Sequence, residues 1–354
     1  MKSIIMKTIN QESLSFQEAK RIFDYILSGR ASQAEIASVL TALKIKGETP
    51  EEIAGAACAL RQRTMRSKVG GTVVDTCGTG GDGSGSFNIS TASAFVVAGA
   101  GVKVAKHGNR SVTSRSGSAD VLEALGVYVM NDETTSLKTL KETGMGFFYA
   151  PSIHKSMKSV MPVRKALGFR TVFNLIGPLC NPVDLSGQII GVGDKRSLVK
   201  MAEAGRIMGL DNTLFLSSEN GLDELTLMGS NKAIHVNNGQ LKDHIICAKD
   251  MGFEERPDRA LKGGSSEDNA KIMLSLLEGI PSAHLDAVLL NAGAALYVAG
   301  KASSIKEGVV VARASVESGN ALKMLEGLKR LCPRSGHDHG SSVNLVSKAS
   351  KYGA

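Results

Sequence analysis

Five glycines crowd into one short run, DTCGTGGDGSGSFNIST from Asp75 to Thr91, at Gly78, Gly80, Gly81, Gly83 and Gly85. With no side chains between its backbone N–H groups and an incoming anion, such a loop can wrap phosphate. The β-branched residues Thr72, Val73 and Val74 ahead of it read as a strand, and the small-residue segment Ala92 to Ala98 behind it as a helix. The free N–H groups and dipole of that helix start favour the same charge. Asp82 is the odd residue, because a carboxylate repels phosphate; it suits ribose hydroxyls or a metal-bound water.

A second strand, Val102 to Ala105, runs into Lys106, His107, Gly108, Asn109 and Arg110, then into a hydroxyl-rich stretch ending at Ser118 before another helix, Ala119 to Leu125. Two consecutive strand ends with loops of this kind share one edge of a parallel sheet, where α/β proteins bind ligands. Neither Gly-x-x-x-x-Gly-Lys-Ser/Thr nor a clean Gly-x-Gly-x-x-Gly is present. Asp223 and Glu224 follow a strand ending at Leu216. Alone they are ordinary solvated charge, but on the same sheet edge as two phosphate-type loops they become a Mg²⁺ candidate, since magnesium takes one or two carboxylates plus waters and substrate oxygens. Arg164, a charge inside the apolar run Met161 to Pro182, is the residue type suited to bidentate capture of a carboxylate.

The elements that must hold these residues are legible. Ser15 with Glu18 and Ser32 with Glu35 form capping boxes, and Thr49-Pro50-Glu51-Glu52 offers an N-cap, a first-turn proline and acidic residues against the dipole. Apolar residues follow at helical spacing in each segment, and Gly29 and Gly47 stop the chain. Three such stripes need a partner, either a later helical piece or a second subunit. From Gly71 the pattern becomes strand, loop, helix, with further strands expected at Val127 to Met130, Gly146 to Ala150, Gln188 to Val192 and Thr213 to Leu216. Helices are expected at Leu198 to Met208, His284 to Ala299, Ser304 to Val316 and Ala321 to Leu331. Alternation of this kind predicts an α/β fold with a mainly parallel central sheet.

The expected organisation is a helical domain over residues 1–70, completed by an insert near 162–182, an α/β domain over 71–333, and a flexible tail over 334–354. His337 and His339 lie in that tail and read as stray polar residues. The 354 residues suffice for about two domains. A net charge of +8 comes from scattered basic residues rather than a run, which fits a polyanionic small substrate better than nucleic acid. Five widely spaced cysteines with no Cys-x-x-Cys pair speak for a reducing cytoplasm. No stretch approaches the roughly 18 apolar residues of a membrane span.

Taken together, GTGGD at 78–82, NIST at 88–91, KHGNR at 106–110, SGSAD at 116–120, Arg164 with LGFRTVFNLIGPLCNP at 167–182, and LDE at 222–224 resemble the anthranilate phosphoribosyltransferase family, over roughly Leu14 to Leu331. The resemblance implies a nucleoside phosphorylase/phosphoribosyltransferase-like fold, similar to type IV. The reaction it implies is transfer of the 5-phosphoribosyl group from phosphoribosyl pyrophosphate (PRPP) to the amino nitrogen of anthranilate, with Mg²⁺, in a cytoplasmic homodimer joined through the helical domain, with no nucleic-acid or membrane partner. Carried over, the PRPP site falls on Gly78, Gly81, Asp82, Ser86, Asn88, Ile89, Ser90, Thr91, Lys106, His107, Gly108, Asn109, Arg110, Ser111, Val112, Thr113, Ser114 and Ser118. Anthranilate contacts fall on Gly78, Asn109 and Arg164, and magnesium ligands on Ser90, Asp223 and Glu224. Lys106 and Asp82 are the residues expected to support the transition state and leaving group, with no general base.

Two stretches depart from the family pattern. Ile153-His154-Lys155-Ser156-Met157 stands where the family has His-His-Pro-Ala-Met, and Ser217-Ser218 where it often has His-Gly. A pyrimidine nucleoside phosphorylase resembles this fold too, but continues its Lys-His loop with Ser-Thr-Gly where this chain has Gly108, Asn109 and Arg110. A nucleic-acid-binding relative of the fold is the other alternative.

Overall fold

The computed structural model describes residues 1–64, 66–111 and 115–334. Val112, Thr113 and Ser114 therefore lie outside the described residues, as does the tail from residue 335 with His337 and His339.

Helices α1 (Lys2–Ile9), α2 (Phe16–Leu27), α3 (Gln33–Lys46) and α4 (Pro50–Arg61) open the chain. The starts of α2, α3 and α4 are reciprocal capping boxes: Ser15, Ser32 and Thr49 accept from the N–H of Glu18, Glu35 and Glu52, whose carboxylates accept from the caps' own N–H groups. Glu52, fully buried, also accepts from the Leu14 N–H at 2.9 Å and from the Lys46 ammonium at 2.8 Å. One carboxylate thus ties α4 to α3 and to the α1–α2 connection.

The sheet begins with β1 (Val73–Gly78), α5 (Ile89–Gly99), β2 (Lys103–Gly108), α6 (Ser118–Ala124), α7 (Glu133–Thr143) and β3 (Met145–Tyr149). A helical excursion of α8 (Ala150–Ile153), α9 (Met161–Leu167) and α10 (Val172–Ile176) comes next, and β4 (Gly187–Gly191), α11 (Leu198–Ile207) and β5 (Thr213–Ser218) resume the alternation. A hairpin of β6 (Ser230–Asn237) and β7 (Gln240–Cys247) and helices α12 (Ser266–Leu277), α13 (Ala283–Val298), α14 (Ile305–Glu317) and α15 (Asn320–Leu331) complete the described chain. The seven strands lie in the order β3-β2-β1-β4-β5-β6-β7. Pairing is parallel from β3 through β5 and antiparallel where β6 joins β5 and β7 joins β6.

Two expectations change. Val127 to Met130 is no strand of this sheet: Val127 bridges Pro333, and the Tyr128 N–H donates to the Cys332 carbonyl at 2.7 Å. The place beside β2 that it would need is taken by β3. The β6–β7 hairpin was not expected, although its turn is an Asn-Gly pair. Asn238 and Gly239 both have positive φ, 49° and 72°, as a type I′ turn requires.

The partner for the three N-terminal stripes is the later helical piece. Phe23, Ile36 and Ile53 share one core with Val163, Phe173 and Ile176 of α9 and α10, and the rings of Phe23 and Phe173 meet edge-on at 5.6 Å. Such a pair adds about 0.5–1.5 kcal/mol beyond its buried area. The same core continues onto Ile190, Phe215 and Val236 of the strands, so the helical layer rests on one face of the sheet. The other face is covered by α5, α13, α14 and α15.

Candidate active site

The C-terminal ends of β1, β2 and β5 feed three loops into one cleft of about 390 Å³. The first is the glycine loop after β1. Gly80, Gly81, Gly83 and Gly85 all have positive φ, a conformation other residues adopt only with strain. The Arg170 guanidinium donates to the Gly80 carbonyl at 2.6 Å and to the Thr79 carbonyl at 3.2 Å, so the excursion after β3 grips this loop from above. Within it the Ser84 N–H donates to Asp82 Oδ1 at 3.2 Å, while Asp82 Oδ2 is buried with no partner among the described residues.

The second loop, after β2, is shaped by charge. Arg110 pairs with Asp120 at 3.1 Å and with Glu123 at 2.6 Å, and the Glu123 hydrogen bond raises its pKa. Asp120 in turn accepts from the N–H groups of Ser111 and Gly117 at 2.9 and 2.8 Å. The Arg110 guanidinium is therefore spent on α6 rather than held free for phosphate. Asn88 links both loops, donating to the Ser116 carbonyl at 3.1 Å.

The third loop carries Asp223 and Glu224. The Leu222 N–H donates to Ser218 Oγ at 2.8 Å, closing a tight turn, and Asn291 of α13 holds both the N–H and the carbonyl of Leu225 beyond the acidic pair. The hydroxyl at Ser218, one of the departures from the family pattern, thus helps to aim the pair. Asp223 settles directly onto the strand ends. A Cβ at Gly78 would strike its carboxylate and one at Gly191 its backbone, so both positions require glycine for close approach. Asp223 Oδ2 accepts from the Gly80 N–H at 2.7 Å, and Glu224 Oε1 from the Ser90 N–H at 3.2 Å at the start of α5.

Negative charge crowds one corner of the cleft. Burial raises the pKa of Asp223, with the charge of Asp82 adding to it, and burial raises Glu224, with Asp223 adding to it. Lys106, 2% exposed, stands beside this corner and donates to the Thr76 carbonyl and to Ser90 Oγ, the latter at 3.3 Å. Two crowded, buried carboxylates suit a divalent cation. Among the described residues no three carboxylate, imidazole or thiol groups converge to hold a metal by themselves.

On the helical side of the cleft Arg164 donates to Asn174 Oδ1 at 3.3 Å and lies 5.6 Å from the centre of the Phe173 ring. Burial lowers its pKa, and among the described residues it meets no carboxylate. A short buried chain runs behind it: His154 lies 3.2 Å from His107, ring nitrogen to ring nitrogen, and 3.0 Å from Thr64 Oγ1. His154 is the histidine retained at the other departure, and Lys155 beside it is exposed.

The comparisons with known proteins follow the same lines. A model of the glycosyl transferase family helical bundle domain matches residues 2–64, and one of the family's a/b domain matches residues 70–322. The anthranilate phosphoribosyltransferase of Oceanobacillus iheyensis is 45% identical over 93% of this chain and 97% of its own. The chain belongs to the anthranilate phosphoribosyltransferase family. The crystal structure of the anthranilate phosphoribosyltransferase from Thermus thermophilus superposes with a TM-score of 0.87 at 41% identity, covering 93% of this chain and 98% of that one. The Saccharomyces cerevisiae enzyme in complex with PRPP and Mg superposes at 0.80 with 28% identity, covering 89% and 92%. The relatives and structures support the phosphoribosyltransferase reading and neither the nucleoside phosphorylase nor the nucleic-acid-binding alternative.

Of the residues the family resemblance assigns, Gly78, Gly81, Asp82, Ser86, Asn88, Ser90, Thr91, Lys106 to Ser111, Ser118, Arg164, Asp223 and Glu224 all line the one cleft. Ile89 does not: the first residue of α5, it turns its side chain into the core, and its N–H donates to the Phe87 carbonyl at 2.8 Å. Arg170, Phe173 and Asn174 also line the cleft and were missed. The signal for Arg170 was its place in the same glycine- and proline-punctuated run as Arg164.

Proposed function

We propose that the protein transfers the 5-phosphoribosyl group of PRPP to the amino nitrogen of anthranilate, giving N-(5-phosphoribosyl)anthranilate and pyrophosphate in tryptophan biosynthesis. The observation that carries this reading is a single cleft joining an arginine with no carboxylate partner among the described residues, a glycine loop and two crowded, buried carboxylates. PRPP occupies the glycine loop at Gly78, Gly81, Asp82 and Ser86, the helix start at Asn88, Ser90 and Thr91, and the second loop from Lys106 with Ser118. Anthranilate lies against Gly78, Asn109 and Arg164, its carboxylate on the guanidinium.

Ser90, Asp223 and Glu224 hold Mg²⁺, which supplies charge stabilisation for departing pyrophosphate. The C1–O bond breaks with oxocarbenium character, so charge grows on the leaving group. The glycine-loop N–H groups and Lys106 face that charge, the latter preorganised by its contacts with Thr76 and Ser90. Asp82 turns its unpartnered oxygen to ribose hydroxyls. No residue is assigned as general base, because an aromatic amine is already nucleophilic. Mixing the protein with anthranilate, PRPP and Mg²⁺ and following anthranilate fluorescence tests the whole reading. The chain has no tryptophan to obscure the signal, and unchanged fluorescence over hours would sink it.

Arg164→Ala should raise KM for anthranilate on the order of tenfold or more, through loss of a charge-assisted contact of about 1.5–3 kcal/mol, and change the donor's KM less. Equal losses for both substrates in a folded variant would contradict the assignment. The helical part, residues 1–70 with 162–182, should move against the α/β part on bends near Val69 to Gly71, Pro162 and Pro182 as both substrates bind. Structures with and without them should differ in interdomain angle, and an unchanged angle removes the idea.

The enzyme works in the cytoplasm as a homodimer joined through the helical layer, where Met6, Ile9 and Ile45 expose large apolar side chains, Ile45 to 69%. Among the described residues no helix is long and apolar enough to cross a membrane, and all five cysteines are free.

A further inference from the structure

The two connections between the helical layer and the sheet meet at the opposite edge of the sheet from the cleft. The Ser67 N–H donates to the Pro182 carbonyl at 3.0 Å and the Asp184 N–H to the Ser67 carbonyl at 3.1 Å, so the connections pair like two short parallel strands. Arg66 and Asp184 form an ion pair across them. Beside this crossing lies a second cavity, of about 330 Å³, lined by Arg61 at the end of α4, Arg66, Asn181, Asp184, Gln188 at the start of β4 and Asp211 ahead of β5. Because it opens at the N-terminal ends of β4 and β5, it is separate from the cleft at their C-terminal ends.

Its charges do not close on themselves. Asp184 is engaged by Arg66, and Asp211 Oδ1 accepts from the Asn238 N–H at 2.7 Å. Arg61 is partly buried, yet among the described residues its guanidinium forms no hydrogen bond and no ion pair. A guanidinium has five N–H donors and keeps its charge at any physiological pH, so covering it without an acceptor is costly. Burial, and after it the charge of Arg66, lowers its pKa. An oxyanion between the two arginines would meet that deficit in the fork geometry that suits carboxylate and phosphate.

The cavity also has a rigid wall. Asn181 donates to Asp75 Oδ2 at 2.9 Å and to the Ala105 carbonyl at 2.8 Å, and Gln188 donates to the Pro178 carbonyl at 2.8 Å. The second connection is thereby fixed to the floor of β1 and β2, whereas Arg61 and Arg66 belong to the end of α4 and the first connection. We propose that this cavity binds a small oxyanion, a carboxylate or a phosphate, through Arg61 and Arg66, and that the bound ion braces the two connections against each other.

Calorimetric titration of the full chain with malonate and, separately, with inorganic phosphate tests this. One saturable site should appear for at least one ion, weakened tenfold or more by Arg61→Met. Asp184→Asn, which frees Arg66 from its partner, should tighten the same site severalfold, a gain that misfolding cannot produce. Arg164→Met, in the other cleft, should leave it unchanged. The ion whose binding responds to Arg61→Met and Asp184→Asn identifies the source. No saturable binding of either ion, or binding of both ions that survives Arg61→Met and Asp184→Asn unchanged, whatever Arg164→Met does, overturns the proposal.

Discussion

Replacing Asp223 by Asn together with Glu224 by Gln should lower turnover by roughly a hundredfold or more while leaving the fold intact. The amide oxygens of the variants can still accept from the Gly80 and Ser90 N–H groups, so both local hydrogen bonds survive. What disappears is two negative charges that burial and mutual repulsion already disfavour. The melting temperature should therefore hold or rise. Anthranilate binding without PRPP should be nearly unaffected, because Arg164 stands on a different element, and raising Mg²⁺ should restore part of the lost rate. Steady-state kinetics across a Mg²⁺ series with a thermal melt decides the matter. A fully active double variant with unchanged Mg²⁺ dependence would mean that the acidic loop is solvated charge and nothing more.

Lys106→Met should cost stability and turnover together, for separable reasons. Lys106 shares the interior with Asp75, fully buried, whose pKa burial raises and the Lys106 charge lowers. The two make no ion pair with each other, so removing the Lys106 charge breaks no contact but leaves the buried carboxylate without its nearby counter-charge. Asp75 retains Asn181 at 2.9 Å, the His107 N–H at 3.3 Å and Gln188 at 3.4 Å, so the loss should be modest, a measurable fall in the denaturant midpoint. Turnover should fall by about a hundredfold, because the cation beside Ser90 is gone. Adding Asp75→Asn should recover most of the stability and none of the turnover. Denaturant titration and kinetics on the three variants check this. A Lys106→Met midpoint equal to wild type would break the link to Asp75, and restored turnover in the double variant would show that Lys106 acts only through it.

Much of this architecture is written in local chemistry. Ser15, Ser32 and Thr49 start helices because a short side-chain oxygen satisfies free N–H groups wherever the rest of the chain goes. The glycine loop and the Lys106 loop could be read for the same reason, since backbone freedom and charge are local properties. The parts that escaped are those set by distant partners. Val127 to Val129 has the composition of a strand, yet β3 had the better claim to the edge beside β2. Arg110 lines the cleft, but its anchoring by Asp120 and Glu123 on the next helix is not readable from the loop's own composition. The roles of Arg170 and Asn291 depend on contacts across the cleft and from α13, which no spacing in the sequence reveals.

The helical layer is built from two stretches of chain, with everything from β1 to β3 made between them. During synthesis at about 5–20 residues per second, the first four helices leave the ribosome on the order of 5–20 seconds before Phe173 and Ile176 exist to cover them. Phe23, Ile36 and Ile53 face water in that interval, which makes the nascent chain a client for chaperones that hold exposed apolar surface. A fragment ending before Met161 lacks α9 and α10 altogether and keeps that surface exposed.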